Sequence, residues 1–349
     1  MPEVINKIET GNESGQLGEI LNAKQFEEAL IKRLLPRLVA YKEAQKTVLK
    51  DNDGTRAYWL GFEDLADDDD GELVEGVTPD AVGLKPFETS AEVKQYGKVV
   101  KFTDRLLKRS KYSKLQAEAL DQLTTWAEKV IDRLIYKTLK NQTLKIYGGN
   151  GTTVTPTLSG KLKDNTAAIA LAAGTLAATS YYTEDDFEKA YVWLSELGAP
   201  TFDDGYYHCQ LSPKAASDVR KFPKFVDKSK YQDPTGAGLL KNEIGVLKNI
   251  KFIECPKLAS DKIGDITCEN AFVYGKDAYG VTDVEENRGK PEHISKGLGQ
   301  AGDDQLNQRA SEGVKWEMAS KVLCNPDATV ADPKDQRVVR IVAPASITV

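Results

Sequence analysis

Cysteine is scarce in this 349-residue chain: Cys209, Cys255, Cys268 and Cys324 lie far apart, with no CxxC pair among them. That spacing spells neither a zinc ribbon nor a thioredoxin-like redox site, and it reads as buried free thiols in a reducing compartment. Histidine is scarcer, with His208 and His293 alone. His208 precedes Cys209 in a strand-like run, where neighbouring side chains point to opposite faces, so the two cannot form a Cys-His dyad with each other. Both histidines therefore read as structural or exposed. The sequence has no GxxxxGK[ST] phosphate loop, no GxSxG elbow and no HExxH metal pair. Two acidic runs resemble calcium loops but put Leu49 and Ala66 at the first ligand position and Leu60 and Val77 where the closing glutamate belongs. Long apolar runs are missing too. The most apolar stretch, Ala167 to Ala178, falls short of the about 20 residues that cross a bilayer, and the N-terminus lacks the apolar core of a secretory signal.

Basic charge is in slight deficit, 47 Lys and Arg against 53 Asp and Glu, for a net charge of -6. A sequence pI near 5.3 is a poor match to a dedicated nucleic-acid reader, whose affinity comes from neutralising phosphates. With 29% charged and 40% hydrophobic residues the composition is that of a globular chain. Its length exceeds the roughly 150 residues of an average domain, so two or more subdomains sharing a core are expected.

Within that average the charge is uneven. Asp64 to Glu88 holds nine acids against Lys85, a net of eight negative charges. Ala91 to Lys145 holds ten Lys and three Arg against six acids, a net of seven positive charges. The acidic stretch separates TRAYWLGF (Thr55 to Phe62), with strand-like alternation, from AEVKQYGKVVKFTD (Ala91 to Asp104), which alternates again. So charged a connection cannot lie in a core, and the two strands are expected to pair as a long hairpin projecting from the body. From Lys114 to Leu144, Leu120, Leu123, Ala127, Val130 and Leu134 recur at helical spacing, a spine roughly 45 Å long. A shorter helical pattern with Pro36 inside it runs from Asn22 to Tyr41. Thr183 caps a further helix, with Glu184, Asp185 and Asp186 in its first turn and Gly198 as its stop. Short strands and one helix alternate thereafter: YYHCQLS, SPKAASDVRKF, NIKFIECP, NAFVYGKDAYGVTDV, VKWEMASKVLC and RVVRIVAPASITV. A long hairpin, an extended arm and a spine helix without a catalytic constellation read as a chain that makes contacts.

The order of RLLPRLVAYK, TRAYWLGF, LVEGVTPD (Leu73 to Asp80), VKQYGKVVKFTD, AFVYGKDAYGV and GVKWEMASKVLCNPDATV resembles major capsid proteins of tailed bacteriophages with the Hong Kong 97-type fold. Within them it resembles the group typified by the major head protein of the podovirus called N-four. The resemblance implies an α+β fold with an N-terminal arm (1–54), an extended β-hairpin loop (55–104), a peripheral domain with the spine helix (105–182), an axial domain (183–312), and closing strands that return to the peripheral sheet (313–349). It implies hexamers and pentamers of an icosahedral head around double-stranded DNA. Its partners would be further copies of itself, a separate scaffolding protein, a portal, room for a decoration protein, and packaged DNA touched without sequence preference. Assembly would take place in the bacterial host cytoplasm. No membrane, cofactor, metal or catalytic residue is expected.

On this reading Tyr58, Trp59 and Phe62 anchor the hairpin on a neighbouring subunit, because aromatics carry large contact area. The acidic tip, with Asp67, Asp68, Asp69, Asp70 and Glu75, would meet a basic surface carrying Lys98, Lys101 and Arg105. Lys85 sits in the loop where some relatives form Lys-Asn crosslinks. The alternatives are an encapsulin-like nanocompartment shell and, from another class, a cytoplasmic hydrolase using the carboxylates.

Overall fold

The computed structural model describes residues 38–50, 54–63, 65, 83–109, 115–141, 144–148, 178–223, 243–258, 260–263, 265–285, 287–298, 306–325 and 336–347. In chain order these form a 3-10 turn (Tyr41–Glu43), strands β1 (Gln45–Thr47), β2 (Arg56–Phe62), β3 (Pro86–Glu92) and β4 (Lys94–Thr103), and helices α1 (Asp104–Arg109) and α2 (Leu115–Asn141). Strand β5 (Leu144–Tyr147), helix α3 (Glu184–Glu196), strand β6 (Tyr207–Leu211) and helix α4 (Pro213–Val219) follow. The remaining strands are β7 (Glu243–Leu247), β8 (Ile250–Glu254), β9 (Asp261–Ile263), β10 (Ile266–Tyr274), β11 (Tyr279–Thr282), β12 (Glu292–Lys296), β13 (Arg309–Met318), β14 (Ser320–Val322) and β15 (Val338–Ala343).

The largest sheet has the order β5-β15-β10-β6-β8-β7, with β9 on β10. One of its faces is largely apolar: Cys209, Leu211, Ala271, Val273, Val339 and Ile341 pack against Phe187, Ala190 and Leu194 of α3 and Ala215, Ala216 and Val219 of α4. Helix α3 starts and stops where its sequence says. The Thr183 and Asp186 side chains form a reciprocal capping box, and Gly198 turns the chain out at φ 64°. Phe272, Tyr274 and Val338 point from the other face into the core that holds Ile131, Ile135, Tyr136 and Leu139 of α2.

Helix α2 is 27 residues, roughly 40 Å. Its deepest row is Leu123, Ala127, Ile131, Ile135 and Leu139, while Leu120, Val130 and Leu134 of the expected stripe flank it half-buried. A strict four-residue spacing drifts around a 3.6-residue helix, which lets the row follow the core as it passes beneath the large sheet. Sheet β12-β13-β4 packs on the same core through Tyr96, Val100, Val314, Trp316 and Met318, with the Trp126 and Trp316 rings 5.5 Å apart edge to face. A third sheet, β1-β11-β14, carries Tyr279, Val281 and Val322 into it.

One expectation is corrected: β2 pairs with β3, in register from Arg56↔Glu92 to Phe62↔Pro86, and not with β4. Strand β4 is taken along its whole length by β13, ten residues against ten, because Tyr96, Val100 and Phe102 need the apolar layer that β13 and α2 complete. Strands β10 and β11, close in sequence around the turn at Asp277 (φ 55°), enter different sheets. Strand β15 lies inside the large sheet, parallel to β5 and antiparallel to β10. Every residue of its VVRIVA sequence is buried, as a strand covered on both faces requires. Most of the helical pattern from Asn22 to Tyr41 lies outside the described residues.

Candidate assembly surface

The two faces of the β2–β3 hairpin differ. Ala57 and Trp59 turn inward and form a small core with Leu49 and Ala319, flanked by Leu323. Trp59 sits directly over Gly280 of β11; a Cβ at that position would lie 2.4 Å from the indole ring. Glycine is what allows this close approach. Further ties hold the hairpin down: Thr89 Oγ1 donates to the Cys324 carbonyl (3.2 Å), Asn325 Nδ2 to Glu63 (2.7 Å), and Arg288 to the Gly54 carbonyl (2.9 Å). The opposite face presents Tyr58, Leu60 and Phe62 at 52%, 65% and 54% exposure.

Trp59, expected as an intersubunit anchor beside Tyr58 and Phe62, is 4% exposed and already spent within the chain. Leu60 stands in the exposed row instead. The period-two pattern separates these two sets; it does not say which set the body covers. Leu65 and Leu84, at the described ends of the acidic connection, are also exposed. Of the other candidates, Lys85, Lys101 and Arg105 are exposed. Lys98 is exposed too, with its Nζ 5.4 Å from the centre of the Trp126 ring. Asp67, Asp68, Asp69, Asp70 and Glu75 lie outside the described residues.

Sequence reasoning missed the device that fastens the segment leading into β1 to the large sheet. Glu43 accepts from Gln210 Nε2 (3.2 Å) and from the Tyr274 hydroxyl, and lies 2.9 Å from His208 Nδ1. The other ring nitrogen of His208 lies 3.0 Å from Asp204, which also pairs with Lys251, and Phe202 stacks on the imidazole at 3.9 Å. Burial disfavours the imidazolium, but Glu43 and Asp204 outweigh it, so the His208 pKa is raised. The Tyr136 hydroxyl, 2.7 Å from Gln210 Oε1 and 2.8 Å from Cys255 Sγ, extends the network to α2. Cys209 faces the opposite, apolar side of β6, as the alternation requires. His293 lies 2.8 Å from Glu312 in the small sheet. Nearby on α2, burial raises the Asp132 pKa to about 6 against the opposing pull of Lys257.

Among the described residues no group of three or more His, Cys, Asp or Glu side chains could hold a metal ion, and no helix is long and apolar enough to cross a membrane. The geometry offers an anchored hairpin with one uncovered aromatic face, and a body whose sheets are filled from within.

Solved structures share this fold. A cyanophage Pam1 capsid subunit matches with a TM-score of 0.60 at 16% identity, covering 90% of this chain and 93% of that one. The capsid of Ralstonia phage GP4 matches with a TM-score of 0.60 at 15% identity, over 88% of each chain. Mycobacterium phage Che8 matches at 0.54 and 13% identity, over 87% of this chain and 90% of that one. The fold is thus the α+β fold of phage capsid subunits, of the Hong Kong 97 type. Residues 87–331 match the family described as phage capsid protein, and the chain belongs to that family. No curated protein matches it.

Proposed function

We propose that this chain is the major capsid protein of a tailed bacteriophage, assembling as hexamers and pentamers into an icosahedral head around double-stranded DNA. The observation that carries the reading is the hairpin, fixed to its own body through Trp59 and presenting Tyr58, Leu60 and Phe62 outward. An exposed apolar row on a braced support suits repeated contact with neighbours, and many modest contacts of this kind sum to high avidity. The family favours this role over a nanocompartment shell and over a hydrolase. A separate scaffolding protein and a portal are the partners such a head needs, with assembly in the host cytoplasm.

DNA contact has a candidate surface as well. Lys129, Arg133 and Lys137 recur every four residues along one exposed side of α2, where they could meet phosphates without reading bases.

Size-exclusion chromatography and negative-stain microscopy of the expressed chain test the assembly reading. Closed shells are expected, and a strictly monomeric species at high concentration overturns it. Tyr58→Ser with Phe62→Ser should raise the concentration needed for shells by tenfold or more, since each lost apolar contact is worth roughly 1.5–3 kcal/mol. The melting temperature should stay that of the parent chain.

A further inference from the structure

The outward face of sheet β12-β13-β4 carries a trough that can be read from its register. Across the three strands the face shows Val99, Gly313 and Ile294 in one row, Lys101, Ser311 and Lys296 in the next row toward the end of β4, and Gly97, Lys315 and Glu292 in the row on the other side. In the first two of these rows the middle strand offers only Gly313 and Ser311, between taller neighbours, with Lys315 closing the trough at the third row. Strands lie about 4.8 Å apart, so the walls on β4 and β12 stand roughly 10 Å apart, the width of one extended chain. The cavity measures about 410 Å³ and is lined by Val99, Ile294, Ser311, Gly313, Lys296 and Lys315 among others. Val99 is 58% exposed.

Its charge is unbalanced. Lys315 is paired with Glu292 at 2.9 Å. Lys101 and Lys296, facing each other across Ser311, are exposed and have no carboxylate partner among the described residues. The trough therefore suits an extended acidic segment with some apolar content. The connection between β2 and β3 has that chemistry: nine acids against one lysine from Asp64 to Glu88, with Leu65, Leu73, Val74 and Val77 interspersed. It leaves β2 at Phe62 and re-enters β3 at Pro86, the end of the hairpin remote from β4.

We propose that the acidic connection of one copy docks in the Val99–Gly313–Ile294 trough of a second copy, its carboxylates meeting Lys101 and Lys296. The contact is heterologous, with different surfaces on the two partners, as the head-to-tail neighbours of a hexamer or pentamer require. This refinement rests on the assembly reading above; of the expected basic surface it keeps Lys101 and joins it to Lys296 in place of Lys98 and Arg105.

Charge reversal tests it. Lys101→Glu with Lys296→Glu should melt like the parent, because both side chains are exposed, yet form no shells at concentrations where the parent assembles fully. Asp68→Lys with Asp69→Lys should behave alike. Mixing the two reversed chains should restore assemblies that contain both in equal amount. The proposal is overturned if the lysine-reversed chain assembles like the parent, or if Lys129→Glu with Arg133→Glu on α2 abolishes shells instead. It is also overturned if the four changes rescue only when placed in one chain and never on mixing, which would place the acids on their own trough. Failure of the parent chain itself to assemble would instead refute the capsid reading, so the two failures are distinguishable.

Discussion

The large sheet and the β2–β3 hairpin are built on opposite terms. The sheet has both faces covered by its own chain: α3 and α4 lie on one side, and α2 with the Glu43 network lies on the other. The hairpin has one covered face and one bare one. On the proposed function, stability within a chain and affinity between chains fall to different places, and a substitution should damage one without the other.

The comparison breaks most severely at the sheet. Phe187 packs edge to face with Phe252 at 5.1 Å and with Phe222 at 6.1 Å. Phe187→Ala should cost about 3–5 kcal/mol, lowering the calorimetric melting temperature of the dissociated chain by many degrees. An intermediate effect is expected at the hairpin's own foot. Gly280→Ala drives a methyl group into Trp59 and should lift the hairpin from β11. Limited proteolysis should then cut between Gly54 and Glu92 roughly tenfold faster, as loss of about 1.4 kcal/mol of docking requires, while the main melting transition barely moves. Equal destabilisation of the whole chain would show that the hairpin belongs to the body's cooperative unit.

The smallest effect concerns pH. His208, with its pKa raised, contributes stability that is complete below its unfolded value near 6.5 and is lost as pH rises through the folded value. Asp132, raised to about 6, acts in the same direction but in a lower window, its contribution being lost between its ordinary value of 3.8 and about 6. The melting temperature should therefore fall between pH 6 and pH 8, by roughly 2 °C, and His208→Gln should flatten that slope. A rising slope would show that Glu43 and Asp204 do not hold the imidazolium.

What the sequence revealed follows the range of the forces involved. The capping of α3 by Thr183 and Asp186, the stop at Gly198, the long α2 and the runs that become β6, β8 and β13 all depend on neighbours a few residues away. The pairing of β4 with β13, the place of β15 beside β5, and the meeting of Glu43 with His208 depend on partners more than a hundred residues distant, and no local period encodes them. The hairpin sits between these cases. Alternation separated Trp59 from Tyr58 and Phe62, but only Gly280, far along the chain, determines which of them is buried. The charge segregation was legible as two totals, while the trough that pairs Lys101 with Lys296 across Ser311 exists only once three distant strands are in register.

The interior position of β15 bears on the order of events during synthesis. This strand is the last of its sheet to be made, and it separates β5 from β10. At about 5–20 residues per second the ribosome needs roughly 10–40 s to travel from β5 to β15. Until then the sheet has a gap, with two unpaired strand edges and no finished seat for Arg340, whose guanidinium joins Asn270, Asp261 and the Lys140 carbonyl. A nascent chain thus completes its body only once β15 has been made. On the proposed function a body is ready to associate only with β15 in place, and chains cut short before residue 338 should stay out of the growing particle.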